Sequence, residues 1–144
     1  MKKALSLLLC AALLVCCASC GGNVRNAKTH HVDSALYTEK DIEDAIQTIK
    51  DMIRLDPGWH GVTLTEIYYA GDEITQRESE YYLAWEKLSD MDELIVLMSS
   101  FDVDGSGGDG SLNPNSTYDD WNWILVRKNG GEWIHFEHGH FKKT

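Results

Sequence analysis

The most regular pattern in the chain begins after Thr38. Ile42, Ala45, Ile46, Ile49 and Ile53 recur at spacings of three and four, which places them on one face of a helix. Thr38 and Asp41 have the spacing of a capping box, with Asp where Glu is usual. Asp56-Pro57-Gly58 stops the helix. Residues 62–70 are rich in Val, Thr, Ile and Tyr and predict a strand. Gly71-Asp72-Glu73 turns the chain. Thr75 and Glu78 repeat the capping spacing, and Tyr81, Tyr82, Trp85 and Leu88 recur at helical intervals. A second helix is therefore predicted over 75–88. Residues 93–103 predict a strand with Ile95, Leu97, Ser99, Phe101 and Val103 on one face. Residues 121–128 and 132–141 predict two more, joined by Asn129-Gly130-Gly131, which suits a type I′ hairpin turn. The order α-β-α-β-β-β implies an α+β fold: an antiparallel sheet packed on one long N-terminal helix and a second helix.

The chain start follows a different pattern. Lys2 and Lys3 precede residues 4–17, which are apolar except for Ser6. That run is shorter than the roughly 20 residues a membrane-spanning helix requires, and it has the layout of an export signal. It ends in Ala18-Ser19-Cys20, which resembles the lipobox of bacterial lipoproteins, departing from it at Cys17, where Leu is usual. The resemblance implies cleavage after residue 19 and a diacylglyceryl thioether on Cys20, which would hold the protein to the extracytoplasmic face of the cell membrane. Residues 20–36 are polar and without hydrophobic period. They predict a lipid-anchored flexible tether, in which His30-His31 is a solvated pair. Residues 37–144 then form one domain.

Composition narrows the chemistry. All four cysteines, Cys10, Cys16, Cys17 and Cys20, lie in the first twenty residues, so residues 37–144 have neither a disulfide nor a thiol nucleophile. Removing residues 1–19 takes away two lysines and moves the formal charge from −10 to −12. So acidic a body excludes nucleic acid as a partner, because that binding depends on Lys and Arg neutralising phosphates.

Two clusters carry metal-ligand chemistry. Asp102, Asp104, Ser106 and Asp109 occupy a Gly-rich loop and resemble the start of an EF-hand-type Ca²⁺ loop, although Asn113 stands where the bidentate acid belongs. His135, Glu137, His138 and His140 form the second cluster. Strict strand alternation pairs His138 with His140 on one face, together with Ile134 and Phe136, and turns His135 and Glu137 to the other. His138 and His140 would then need a third ligand for a transition metal, such as His60. For acid–base work the candidates are Glu66, Glu137 and His138.

Residues 123–127, Trp-Ile-Leu-Val-Arg, followed by Gly131-Glu132-Trp133, resemble the closing hairpin of NTF2-like and SnoaL-like cone domains. From Thr38 onward the chain is similar to an uncharacterised family of bacterial lipoproteins with this ending. The resemblance implies a strongly curved antiparallel sheet around a pocket, with a cystatin-like sheet wrapping one main helix as the alternative. That fold hosts enzymes and binders alike. No Gly-x-Ser-x-Gly elbow or phosphate-cradling loop is present. The expectation is a membrane-anchored binding or accessory module for a small ligand, glycan or protein, with no cofactor. The alternatives are a small isomerase or hydrolase using a pocket carboxylate or histidine, and a Ca²⁺-stabilised adhesion module.

Overall fold

The computed structural model describes residues 21–140. The expected export signal, Cys20 and the last residue of the strand expected over 132–141 lie outside the described residues. Helix α1 spans Glu39–Leu55 and is followed by a 3₁₀ turn at Pro57–Trp59. Strand β1 is Val62–Tyr69, helix α2 is Asp72–Tyr82, and a second 3₁₀ turn lies at Glu86–Leu88. Strands β2 (Glu93–Val103), β3 (Ser116–Arg127) and β4 (Ile134–Gly139) complete an antiparallel sheet in the order β1-β2-β3-β4. The fold is α+β, and the sheet stays open, with β1 and β4 at its ends. The order differs from the expected one only by the two 3₁₀ turns. No helix among the described residues is long and apolar enough to cross a membrane.

Helix α1 forms for the reasons its sequence advertises. The Thr38 hydroxyl accepts from the Asp41 backbone N–H, and the Asp41 carboxylate accepts from that of Thr38, which closes the capping box. At the other end the Asp56 carboxylate accepts from the Gly58 N–H at 2.8 Å and redirects the chain. Ala45, Ile46, Ile49 and Ile53 are buried against Leu64, Ile67, Ile95, Leu97, Trp123 and Leu125.

Helix α2 packs on the opposite face of the sheet, where Tyr82 and Leu88 meet Leu94, Val96, Ile124 and Val126. The middle of β2 and β3 is therefore covered on both sides. This explains the unbroken apolar runs at 94–97 and 123–126, where a half-exposed strand would alternate. Helix α2 starts earlier than expected and ends sooner. Its cap is Gly71, without a side-chain bond. Thr75 is no cap. It is buried, and its hydroxyl accepts from the Val96 N–H at 3.3 Å. Asp72 and Glu73 supply the acidic first turn that suits the helix dipole.

The hairpin at 128–131 follows its sequence. Asn129 and Gly130 both have positive φ (52° and 65°), as a type I′ turn requires.

The largest departure concerns the expected tether. Residues 23–28 run beside β1 as a parallel neighbour, with bridges Asn23 to Thr63 and Lys28 to Glu66. Asn23 N–H donates to Val62 O (2.8 Å), and Leu64 N–H donates back to Asn23 O (2.8 Å). Lys28 N–H and Ile67 N–H make the same exchange further along. Val24, Ala27 and Val32 pack on the core. Beyond them, Asp72 accepts from the Ser34 hydroxyl (2.6 Å) and the Ala35 N–H (2.7 Å). The pairing runs through backbone groups, so the side chains need no period, and none shows in the sequence. It also covers part of a strand edge that would otherwise expose unpaired N–H and C=O groups.

Candidate functional site

Two β-bulges build the site. Between β2 and β3 the register runs from Ser99 opposite Trp121 to Phe101 opposite Tyr118. Asp119 and Asp120 thus stand against the single residue Ser100, with Asp120 at φ 54°. Tyr118 and Trp121 are three apart yet share a face, at 5.1 and 5.4 Å from the Phe101 ring. Between β3 and β4, Leu125 lies opposite His135 while Ile124 lies opposite Glu137, so Phe136 is the extra residue.

This second bulge overturns the alternation expected for the histidines. His135 joins His138 and His140 on the α1 side of the sheet, whereas Phe136 packs on the α2 side. The His138 ring lies 5.2 to 5.8 Å from Trp59, Trp121 and Trp123. His140 Nε2 donates to Asp119 O at 2.8 Å, and its ring lies 5.1 Å from Trp121. His138 Nδ1 and His135 Nε2 share a hydrogen bond of 3.1 Å. His138 and His140 are therefore engaged separately, one with an imidazole and one with a carbonyl. His60, the expected third ligand, lines a neighbouring cleft with Arg25 and Arg54. Among the described residues, no group of three or more His, Cys, Asp or Glu is placed to hold a metal.

Residues 104–115 fold back over the end of this face. Asp104 N–H donates to Gly61 O (3.0 Å), and Asp109 N–H donates to Gly58 O (3.2 Å). The acidic side chains order the loop locally and do not converge. Asp102 accepts from the Thr117 hydroxyl (2.6 Å), Asp104 from the Ser106 N–H and hydroxyl, and Asp109 from the Ser111 N–H (3.0 Å). Ser106 thus serves as a donor to Asp104. The Ser106 hydroxyl and N–H hold the Asp104 carboxyl below the usual carboxylate range, and the Ser111 hydroxyl and N–H do the same for Asp109.

Between this loop and the aromatic face lies a cavity of about 290 Å³, lined by Gly58, Trp59, Asp109, Ser111, Leu112, Trp121 and His138. Its size is at the lower end of small-ligand pockets. The Trp121 indole N–H is buried and has no acceptor among the described residues. A buried donor without a partner costs about 1–3 kcal/mol. Of the expected acid–base candidates, only His138 reaches this cavity. Glu66 is partly exposed and pairs with His30 at 3.3 Å. Glu137 accepts from the Tyr82 hydroxyl on the other face, where burial raises the Tyr82 pKa and that carboxylate adds to the shift. The walls Trp59 and Trp121 were not foreseen, because nothing in their local spacing marks the bulge that aligns Trp121 with His138.

Burial lowers the His135 pKa to about 4, and the neighbouring His138 adds to the shift. His138 keeps an exposed edge, but burial among the surrounding rings also holds its pKa below the usual value. Both imidazoles are neutral at pH 7. The unfolded chain binds a proton at His135 near pH 6.5 and the folded chain only near 4. The contribution of His135 to stability is thus present above pH 6.5 and is lost as pH falls toward 4. Denaturant midpoints measured from pH 7 to pH 4 should decline, and His135→Gln, which cannot titrate, should flatten that decline. Parallel pH profiles would contradict the assignment.

No protein-family model, curated protein sequence or solved structure gives a significant match to the chain.

Proposed function

We propose that the chain is an extracytoplasmic lipoprotein, held to the membrane through a lipid on Cys20, whose domain binds a small hydroxylated ring of the glycan class. We read the fold as NTF2-like or cystatin-like, a reading supported by one long helix lying across a four-stranded antiparallel meander.

The observation that carries the binding reading is the cavity walled by Trp59, Trp121 and His138, with Asp109 and Ser111 beside the aromatic rings. A sugar ring offers an apolar face for indole contact and hydroxyls for an imidazole, Asp109 and Ser111. Asp109 is already held by the Ser111 backbone and hydroxyl, so the turn presents its carboxylate without reorganisation.

The test is tryptophan emission and calorimetry on residues 21–144 titrated with a panel of neutral and acidic mono- and disaccharides. Trp121→Phe narrows one aromatic wall of the cavity and should weaken binding severalfold, the worth of a partly lost ring contact. Silence across the panel would end the glycan reading. The anchor is tested separately: the wild type should partition into detergent and Cys20→Ser should remain aqueous.

One observation favours a second reading, a small isomerase or hydrolase. The neutral His138 on the cavity wall has the protonation state of a general base. Under that reading His138→Gln would abolish turnover while leaving binding in place.

A further inference from the structure

We infer that the domain is held directly against the membrane in one orientation, with the C-terminal end of α1 and the ligand cavity toward the bilayer. The inference rests on the proposed lipid attachment at Cys20, and the position of Gly21 in the fold supplies the orientation.

Gly21 is covalently next to Cys20. Gly21 and Gly22 are wedged against the last turn of α1. A Cβ on Gly21 would stand 2.4 Å from the carbonyl oxygens of Ile53 and Arg54. One on Gly22 would stand 2.8 Å from the Ile53 side chain and 2.9 Å from Val62 O. Only glycine allows the chain so near. The Gly22 N–H donates to Ile53 O at 2.7 Å, and Asn23 then bonds both Val62 and Leu64.

The connection from the acylated residue to the fixed backbone is thus a single peptide unit, about 3.8 Å between Cα atoms. A free lead of the expected length, residues 20–36, would give a root-mean-square reach of roughly 20 Å and no preferred orientation. Here the lead has been absorbed into the fold.

The surface beside the anchor suits a headgroup layer. Arg25, Arg54 and His60 line an open cleft with Gly21 and Gly22, and Leu55 projects next to it, 63% exposed. Arg54 also pairs with Asp51 at 2.9 Å, and Asp56 and Asp104 stand at the same end. Charge alone would not hold this end down; the position of the anchor does. Arg25, Arg54 and His60 then meet phospholipid phosphates, with Asp102, Asp104 and Asp109 of the cavity loop at the same end.

The cavity shares the 57–61 segment with this cleft, so it too lies at the membrane-proximal end. The Asn129–Gly131 turn lies at the far end, since Arg127 beside it bonds Asp41 at the start of α1. Helix α1 has 17 residues, which separates the two ends by about 25 Å.

The experiment uses the lipidated full-length protein in phosphatidylethanolamine–phosphatidylglycerol vesicles carrying an acceptor-labelled lipid. The mature chain has no free thiol once Cys20 is acylated, so single cysteines can be labelled with a donor fluorophore. Leu55→Cys reports the near end, and Lys128→Cys reports the far end. Transfer should be clearly stronger from residue 55. Inserting about fifteen Gly/Ser residues between Cys20 and Gly21 should remove the difference. Equal transfer from both positions in the uninserted, vesicle-bound protein would overturn the orientation while leaving the anchor intact. Failure of either protein to bind vesicles would overturn the anchor itself, and the orientation with it. Should either labelled variant melt below wild type, Arg25→Cys and Glu132→Cys report the same two ends.

Discussion

Replacing Arg127 with alanine is expected to lower the unfolding free energy by about 3 kcal/mol, the loss typical when one partner of a buried ion pair is removed. Arg127 is buried at the end of β3, 7% exposed. Its guanidinium donates to both Glu93 oxygens (2.8 and 2.9 Å) and to Asp41 (2.7 Å). It also lies 4.2 Å over the Trp133 ring. Trp133 in turn donates its indole N–H to Asp41 O at 2.9 Å. One side chain therefore ties the start of α1, the start of β2, the end of β3 and the approach to β4. Without it, two carboxylates face each other across a half-buried gap. Arg127→Lys should recover only part of the loss, because an ammonium cannot make the forked contact with Glu93 and also reach Asp41. The carboxyl of Asp41 gives a second readout. Bonds from Thr38 and Arg127 lower its pKa from 3.8 to about 2. Its contribution is complete above pH 3.8 and is lost as pH falls toward 2. Urea midpoints should therefore show a smaller acid loss over that window in Arg127→Ala than in wild type. An unchanged midpoint at pH 7 would show that the cluster contributes nothing net.

This cluster also explains what was legible in the sequence. The Arg127 and Gly131-x-Trp133 pattern that resembles cone-domain hairpins is a structural staple, and none of its residues lines the cavity beneath the 104–115 loop. Helix α1 was equally plain, because an amphipathic face and two end signals act within a few residues of each other. The fold class followed from element order alone.

The site was largely hidden. A strand's side chains alternate, so spacing predicts which residues share a face only along an unbroken ladder. One extra residue at Phe136 shifts Glu137 and everything after it by one position relative to the partner strand, which is enough to move His135 onto the face of His138. The β3 bulge does the same for Tyr118 and Trp121. Neither bulge carries a glycine at the extra position that would have signalled it. The N-terminal segment was hidden for a related reason. Its attachment uses backbone donors and acceptors that every residue possesses, and Gly21-Gly22 reads equally as flexibility or as close approach. Only the position of the Ile53 and Arg54 carbonyls distinguishes the two.

Trp123→Ala should be the other severe substitution, at about 3–5 kcal/mol, the range for truncating a buried tryptophan. Trp123 is fully buried on the α1 side of the sheet. Its ring lies 5.1 Å from Trp59 and 5.2 Å from His138, so it forms the floor on which two cavity walls rest. Its indole N–H donates to the Ser99 hydroxyl at 2.8 Å, and Ser99 is itself buried. Two causes of destabilisation can be separated. Trp123→Phe retains most of the packing but removes the donor to Ser99, whose hydroxyl still donates to Trp121 O at 3.5 Å, and should cost about 1–3 kcal/mol through the lost bond and the smaller ring. Adding Ser99→Ala to Trp123→Phe removes both polar partners, so the double variant should be less destabilised than the sum of the singles. Denaturant melts of the four proteins measure that coupling, with an unchanged slope required for the comparison. Strict additivity would mean that the bond contributes nothing beyond packing. The same variants bear on function, because Trp123 does not line the cavity. If Trp123→Phe weakens ligand binding as much as Trp121→Phe does, the floor orients the walls. If binding is unaffected, Trp59 and His138 are held by the 57–61 turn and the His135 contact instead.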